Sequence, residues 1–274
     1  MSVGKSIRHS LLALAGIVSI GPIIFSLLES LKTPIEIMSG SWKFSPNADN
    51  YANLILNQDS TFIRLTLNSI IASVGSTFVV LLFSTLAAYS LSRHFTWPKA
   101  FKRFLMFWLL FVQMVPAIVF LGPFYLISRQ IGVYNSPAAL VMAYLVLNLP
   151  LAVWVLTGFF SDVPSELKEA ATIDGSSNFR TFVWIMVPVV SPGLTATALL
   201  SFIFAWNDFI FALGLTSTPA GMTLPVGIAG FAQQNNTLFA DMSAAGVFAA
   251  VPAVVLVVFA QKYIVRGLTL GALK

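Results

Sequence analysis

Six apolar runs of about 20 residues recur along this chain of 274 residues, and they constrain its fold more than any other feature. A helix of that length crosses the hydrocarbon core of a bilayer, where backbone groups must pair internally. Charged residues make up only 9% of the chain, against about 25% in soluble domains. The sequence predicts an all-α polytopic membrane protein, a single domain over 1–274. Its six transmembrane helices are predicted at about residues 11–31, 65–91, 104–127, 137–160, 193–213 and 243–263.

Proline interrupts several of these runs. Pro22 lies in the first span, Pro116 and Pro123 lie in the third, and Pro150 lies in the fourth. Such breaks are tolerated in a membrane where a neighbouring helix or a cavity satisfies the freed carbonyls. The second span is rich in serine, alanine and glycine, which let membrane helices approach closely. We therefore expect that helix to pack against protein.

Two connecting segments are long, and both are predicted to be polar loops. They cover residues 32–64 and 214–242 and contain many polar residues, glycines and prolines. A loop of this length in a compact protein is often functional.

Lysine and arginine are divided unequally between the two sides of the predicted membrane domain. One side carries eleven, namely Lys5, Arg8, Arg93, Lys99, Lys102, Arg103, Lys168, Arg180, Lys262, Arg266 and Lys274. The other side carries four, namely Lys32, Lys43, Arg64 and Arg129. The positive-inside rule then places both termini and the loop at 161–192 in the cytoplasm.

No residue pattern indicates catalysis, a metal site or a nucleic-acid surface. The chain has no cysteine, and its two histidines lie in separate basic segments without nearby acidic ligands. The net charge of +5 comes from short loops beside the spans rather than from one basic face. We expect no enzymatic activity, no metal and no cofactor on this chain.

The stretch from Pro164 to Pro192 is a long amphipathic insertion between two apolar spans. Leu167, Ala170, Ala171 and Ile173 have roughly helical spacing, so they predict a first short helix with these residues on one face. Ser165 is its predicted N-cap, and Glu166 and Glu169 lie in the early turns, where the helix dipole favours acids.

A glycine turn is predicted next. Asp174-Gly175 ends the first helix, because glycine takes a left-handed C′ conformation without strain. Ser176, Ser177 or Asn178 can cap a second short helix. Its residues Phe179, Phe182, Val183 and Met186 are expected to share one face.

The motif Glu169-Ala170-Ala171, two residues, Asp174-Gly175, then Phe182, Ile185, Pro188 and Pro192 resembles the EAA loop of ABC importer permeases. Ser176 and Val187 replace the usual alanine and leucine. The resemblance implies the fold of an ABC type I importer permease. It also implies a coupling helix that docks in a cleft of an ATPase subunit through Glu166, Glu169, Ala170, Ala171, Asp174, Gly175 and Phe182. Without the resemblance, the stretch is equally well read as a solvated connection.

Two further segments resemble carbohydrate importers. Trp206-Asn207-Asp208-Phe209 is similar to a WNEF-like element, and Val265 to Lys274 is similar to the tail of the second permease subunit of maltose-type transporters. The resemblance implies a location in the plasma membrane of a bacterium or archaeon. It also implies a heterodimer with a homologous permease, two ATPase subunits that hold ATP and Mg²⁺, and an external binding protein. It implies ATPase contacts for Arg266, Gly267, Gly271 and Lys274, and binding-protein contacts for Gln233, Gln234, Asn235 and Asn236.

Trp206, Asn207 and Asp208 are the candidate residues of the substrate pathway. A charged acid at the centre of a membrane helix costs roughly 2.5–3.5 kcal/mol, so Asp208 should face a partner or a wet cavity. It either bonds a neighbouring helix or contacts substrate, and the sequence leaves both roles open.

An ion-coupled secondary transporter is the main alternative function. Such carriers use ionisable residues inside the membrane as relays, and Asp208 is the one acid well inside a predicted span. A membrane enzyme is a third alternative. The identity of a carried sugar, polyol or glycerol phosphate stays open.

Overall fold

The computed structural model describes residues 2–42, 45–57, 60–92, 95, 97–232 and 238–271, with side chains described at 8–42 and 238–259 in the terminal segments. The regular elements within these residues are helices, as predicted. They are α1 (Ser2–Ser30), α2 (Pro34–Met38), α3 (Asp49–Leu56), α4 (Phe62–Leu91), α5 (Lys99–Met114), a 3₁₀ turn (Ala117–Phe120), α6 (Leu121–Gln130), α7 (Pro137–Asp162), α8 (Ser165–Ile173), α9 (Asn178–Thr181), a π turn (Phe182–Met186), α10 (Val187–Val189), α11 (Ser191–Asn207), α12 (Ile210–Leu215), α13 (Leu224–Gly230) and α14 (Phe239–Gly271).

Four helices are long and apolar enough to cross a membrane unbroken, and two bent pairs bring the total to the predicted six. The first pair is Lys99–Met114 with Ala117–Gln130, bent by 94°. The break lies at Val115 and Pro116, and the backbone of both residues is extended. Pro123, in contrast, lies inside α6 and does not interrupt it. The predicted third span is therefore bent at one of its two prolines.

The predicted fifth span at about 193–213 is not one continuous helix. The second bent pair joins Asn178–Val189 to Ser191–Asn207 at 75°, so the helical segment begins before residue 193 and stops at Asn207. Asp208 leaves the helix with φ −66° and ψ 131°, and α12 is a separate helix. The apolar residues of α12 have the composition of a continuing span, which is why the sequence pattern missed the break.

The first span differs from the prediction in another way. α1 continues through Gly21 and Pro22 without a break. No residue of its apolar 18-residue window within Arg8–Ser30 is buried within this chain, and bulky residues such as Ile17 are exposed on every side. A helix that is apolar all round must be covered by lipid or by another protein.

The chain divides into two compact units, and the first comprises Met1–Arg64 with Leu224–Pro252. The predicted loop at 32–64 is here a folded segment that contains α2 and α3. The buried Asn50 amide donates 2.9 Å hydrogen bonds to the carbonyls of Ser30 and Lys32, which the end of α1 leaves unpaired. Tyr51 joins its hydroxyl to that of Ser30 at 2.7 Å. The polar residues of this segment therefore close a helix end.

A capping box begins α2 in the same unit. The Thr33 amide and hydroxyl donate to the Glu36 carboxylate at 2.8 and 2.9 Å, and the Glu36 amide donates back to the Thr33 hydroxyl. The hydrogen bond from the Thr33 amide is the main reason that the pKa of Glu36 lies below its usual value.

The second unit comprises Leu65–Thr223 with Ala253–Lys274. The small residues of α4 face its interior, as predicted, and Ser69, Ser73, Ser76 and Ala88 are all buried. The bulky apolar residues of α4 are exposed on the opposite face. α4 therefore presents one side to protein and one side to its surroundings.

The segment at 216–222 is also ordered by hydrogen bonds, so the predicted loop at 214–242 was wrong over much of its length. The Asn135 carboxamide accepts from the amides of Ser217 and Thr218 at 2.9 and 3.0 Å. The Asn68 amide donates to three carbonyls of this segment at 2.9 to 3.2 Å. Helix α13 follows, and α14 begins at Phe239. Two asparagines on distant parts of the sequence thus tie down a segment that looks flexible by composition.

Gly221 packs so closely that its replacement is expected to destabilise this unit. A Cβ atom at residue 221 would lie 2.5 Å from the Asn135 carbonyl carbon, which cannot move away freely. We expect Gly221→Ala to cost about 1–3 kcal/mol, as overpacking does. Thermal unfolding of the purified protein measures the change. Gly122→Ala is the matched control, because a Cβ atom there meets nothing within 4 Å. Equal melting temperatures for the two variants would contradict the packing.

Candidate functional site

Helix α8 begins directly after Pro164, at the start of the loop at 161–192. Pro164 is the N-cap, with φ −55° and ψ 135°, and no side chain caps the helix. The predicted N-cap, Ser165, is instead the first helical residue. The prediction was wrong because the extended conformation that proline permits at this position starts the helix one residue earlier.

A Schellman motif ends α8, which confirms the predicted glycine turn. Gly175 has φ +75°. The Ser176 amide donates to the Ala171 carbonyl at 2.9 Å, and the Gly175 amide donates to the Thr172 carbonyl at 3.1 Å. This pair of bonds defines the motif and fixes the direction in which the chain leaves the helix.

Most of α8 is uncovered. Ala171 is buried, but Glu166, Glu169 and Ala170 are exposed, and so are Asp174 and Gly175 of the turn. Of the predicted apolar face, Leu167 is 39% and Ile173 is 85% exposed. These two members of the predicted face are therefore not covered by this chain. The helix contacts the rest of the chain through the buried Ala171 and through Lys168, and its exposed residues are available to a partner.

The second half of the loop is anchored more firmly. Ser177 is the N-cap of α9 and accepts from the Arg180 amide at 3.3 Å. The π turn follows, and in it Phe182 and Met186 are buried. Phe179, which was predicted to share their face, is 73% exposed. A π turn closes i→i+5 bonds, so it changes the spacing on which the prediction relied.

A cluster of aromatic rings connects the loop to two long helices. Tyr89 of α4 has its ring centroid 4.9 Å from that of Phe182 and 5.4 Å from that of Phe160 of α7. Phe95 packs edge-on against Tyr89 at 5.1 Å, and the Lys168 ammonium of α8 lies 4.2 Å from the Phe95 ring. Closely packed interiors transmit displacement rather than absorb it. A shift of the loop therefore reaches α4 and α7 directly.

A pocket of about 400 Å³ lies beside α7, where α5 ends at Met114 and α11 ends at Asn207. The ends of α5 and α11 form its walls, and Val115 and Asp208 at the two breaks both line it. Most of the remaining lining is apolar, with three further polar residues, Gln113, Tyr144 and Asn148. A mainly apolar pocket with a few convergent polar groups is the usual form of a small-molecule site.

Asp208 has a definite structural role in this pocket. Its Oδ2 accepts from the Tyr144 hydroxyl at 2.9 Å and from the amides of Phe211 and Ala212, each at 3.1 Å. Those amides belong to the first turn of α12, which would otherwise leave them unpaired. One carboxylate oxygen thus caps α12 and ties it to α7.

Trp206 and Asn207, which precede Asp208 in the chain, do not line the pocket. Trp206 is buried and stacks on Phe202, with 5.6 Å between the ring centroids. Asn207 is exposed and donates to the Ile203 carbonyl of its own helix at 2.9 Å. Of the three predicted pathway residues, the structure brings only Asp208 to the pocket.

Three polar residues of the pocket were missed by sequence reasoning about the pathway. The Gln113 amide donates to the Leu147 carbonyl at 2.8 Å, in the helical turn before Pro150. Tyr144 and Asn148 are four residues apart on α7, so they lie on one face of it. Two polar side chains at that spacing in an apolar span were the signal that could have found them.

The other predicted contact residues lie largely beyond the described side chains. The helix α14 continues through Arg266 and Gly267 to Gly271, so this part of the tail is a continuation of the last span. The positions of Lys274 and of Gln233, Gln234, Asn235 and Asn236 are outside the described residues. Among the described residues, no group of three or more His, Asp or Glu could hold a metal ion.

Residues 80–270 match the family described as binding-protein-dependent transport system inner membrane component. The chain is 36% identical to a trehalose transport system permease protein of Mycobacterium tuberculosis, over 92% of this chain and 90% of that protein. It is 35% identical to a trehalose/maltose transport system permease protein of Thermococcus litoralis, over 95% and 94% of the two chains. Similarity thus extends over nearly the whole length.

A solved structure has the same fold. It is a chain of a bacterial ABC transporter involved in the import of the acidic polysaccharide alginate, with a TM-score of 0.78 over 96% of each chain. The sequence identity is 19%. Loss of sequence similarity with retention of the fold indicates that the helix arrangement is robust to substitution.

The hydroxyl of Tyr144 is expected to stabilise the second unit through Asp208. Tyr144→Phe removes one of three donors to a carboxylate in an apolar environment, at a cost of about 0.6–2 kcal/mol. Thermal unfolding of the purified protein should show a lower midpoint. Tyr134→Phe is the control, because among the described residues its hydroxyl makes no hydrogen bond and its ring packs on Tyr125. An unchanged midpoint for Tyr144→Phe would show that Asp208 does not depend on it.

Proposed function

The chain belongs to the family of binding-protein-dependent transport system inner membrane components, and we propose that it is one permease subunit of an ATP-driven carbohydrate importer. The observation that carries this proposal is the identity of 35 to 36%, over nearly full length, to permeases named for trehalose and maltose. It is a multi-pass protein of the inner membrane. Its role is that of a permease, so no step of ATP hydrolysis is assigned to it, and membership of this family replaces the alternatives of an ion-coupled carrier and a membrane enzyme.

The exposed loop at 161–192 is the proposed contact with an ATPase subunit, which holds ATP and Mg²⁺. Glu166, Glu169 and Ile173 are uncovered in this chain, and an uncovered bulky apolar residue beside acids suits a protein interface. A contact with a cytoplasmic ATPase requires this loop and both termini to lie in the cytoplasm. The count of eleven basic residues against four supports that orientation.

The aromatic cluster supplies the proposed route from the ATPase to the pathway. Tyr89, Phe160 and Phe182 join the loop to α4 and α7, and α7 carries Tyr144 and Asn148 of the pocket. A displacement of the loop therefore moves a wall of the pocket. We therefore propose that the loop is coupled to the pocket through these packing contacts.

Three partner contacts complete the proposal. The uncovered α1 suits a helix that packs against the second permease subunit. Gln233, Gln234, Asn235 and Asn236 are proposed to contact an external binding protein, and Arg266, Gly267, Gly271 and Lys274 an ATPase subunit. An alginate transporter of the same fold has been described in complex with a periplasmic protein that binds an alginate pentasaccharide. The family match from 80 to 270 includes parts of both compact units, which supports one permease domain.

Gly175→Val is expected to interrupt the coupling by which substrate stimulates ATP hydrolysis. Valine at φ +75° costs of order 1–3 kcal/mol, so the turn and the direction of α8 change. In the complex assembled with its partner permease, ATPases and binding protein, most of the substrate-stimulated ATP hydrolysis should be lost.

Gly132→Val is the matched control for this experiment. Gly132 has φ +76° in a turn between α6 and α7, and a Cβ atom at either glycine meets nothing within 4 Å. Both variants carry similar backbone strain, but only one strains the coupling loop. Equal loss of stimulation in the two would refute the coupling role.

A further inference from the structure

Three polar side chains that line the pocket have hydrogen-bonding capacity that the described residues of this chain do not use. Within the described residues, the Asn148 carboxamide makes no hydrogen bond. Gln113 uses its amide nitrogen on Leu147 but not its Oε1, and Asp208 uses Oδ2 but not Oδ1. These groups comprise two acceptor oxygens and one carboxamide that both donates and accepts. Alcohol hydroxyls, which donate and accept, are complementary to such a set.

The charge of the pocket selects among hydroxylated ligands. Its described lining contains one acid, Asp208, and no lysine, arginine or histidine. An ionised Asp208 repels an anion, and a protonated one gives it no compensating charge. A carboxylate or phosphate ligand would lose its hydration at this site without gaining a cation. An uncharged ligand does not meet this penalty.

The apolar part of the lining suits the faces of a sugar ring. Phe204 of α11 lies at the pocket and is 55% exposed, although it is within a span. An exposed ring beside unpaired polar groups offers a flat apolar surface and hydrogen bonds to the same ligand. The volume of about 400 Å³ lies in the range usual for small-molecule sites.

We infer that this pocket is a subsite for an uncharged carbohydrate, in which Asn148, Gln113 and Asp208 bond its hydroxyls and Phe204 packs on its ring. The inference rests on the proposed function and narrows its substrate class. It assigns the substrate contact to this subunit itself. It also separates this chain from a transporter of the same fold that imports an acidic polysaccharide.

Asn148 is the residue whose replacement tests the subsite with least risk to the fold, because it makes no hydrogen bond within the described chain. Gln130→Leu is the matched control, since it also replaces a carboxamide side chain by leucine, on an exposed residue outside the pocket. The complete complex is reconstituted in liposomes with saturating binding protein. Uptake of radiolabelled trehalose, maltose, maltotriose and an alginate trisaccharide is measured together with ATP hydrolysis.

The wild-type complex is expected to import at least one uncharged probe and to exclude the acidic one. Asn148→Leu should lower the amount of sugar imported per ATP hydrolysed about tenfold, the effect of one or two lost hydrogen bonds. Gln130→Leu should leave that ratio unchanged, and Asn148→Gln should restore part of it. A merely structural defect would instead lower uptake and hydrolysis together.

Two results would overturn the inference while leaving the proposed function intact. One is import of the alginate trisaccharide in preference to the uncharged probes. The other is an unchanged ratio of sugar to ATP in Asn148→Leu. A wild-type complex that imports no probe and shows no hydrolysis stimulated by the binding protein would instead overturn the proposed function, and the subsite with it.

Discussion

A backbone group in a bilayer core has no water to bond, so every break in a membrane helix must be satisfied by protein. This chain has such a break after Asn207, and Asp208 satisfies it. Its Oδ2 pairs with two amides of α12 and with the hydroxyl of Tyr144 on α7. The pocket depends on these bonds, because they hold the displaced segment α12 against α7. Gln113 of α5 adds a bond between helices by donating to the Leu147 carbonyl of α7.

The polar residues of the pocket therefore have two roles, in holding the helices together and in binding a ligand. Asp208 and Gln113 each use one polar atom to hold the helices in place, and each keeps another for a ligand. Asn148 has no such structural bond in the described chain. Because the side chains of the pocket also hold the surrounding helices together, the site needs few charged residues. Its described lining contains one acid. The loop at 161–192 reaches the same helices through the rings of Phe182, Tyr89 and Phe160.

The sequence predicted the features that depend on local chemistry. Apolar runs gave the spans, Gly175 gave the left-handed turn, and the small residues of α4 gave its buried face. It failed where distant residues decide the structure. Asn68 and Asn135 order the segment at 216–222 from 82 to 154 positions away along the chain.

The candidate site shows the same division. Asp208 was found because an acid in an apolar span is costly. Trp206 and Asn207 were grouped with it by sequence proximity, but adjacent residues leave a helix in different directions. The helical spacing of apolar residues in α8 predicted that they share a face, but spacing alone does not say what covers that face. In this chain Ile173 is 85% exposed.

Crosslinking from residue 173 tests most directly whether this loop meets the ATPase. The chain has no cysteine, so Ile173→Cys carries a single site for a benzophenone maleimide. Ile35→Cys on α2 is the control, with 80% exposure against 85% for Ile173. In the assembled complex, light should join the probe at residue 173 to an ATPase subunit and leave the probe at residue 35 unattached to it. Capture of the ATPase from residue 35 and not from residue 173 would contradict the account.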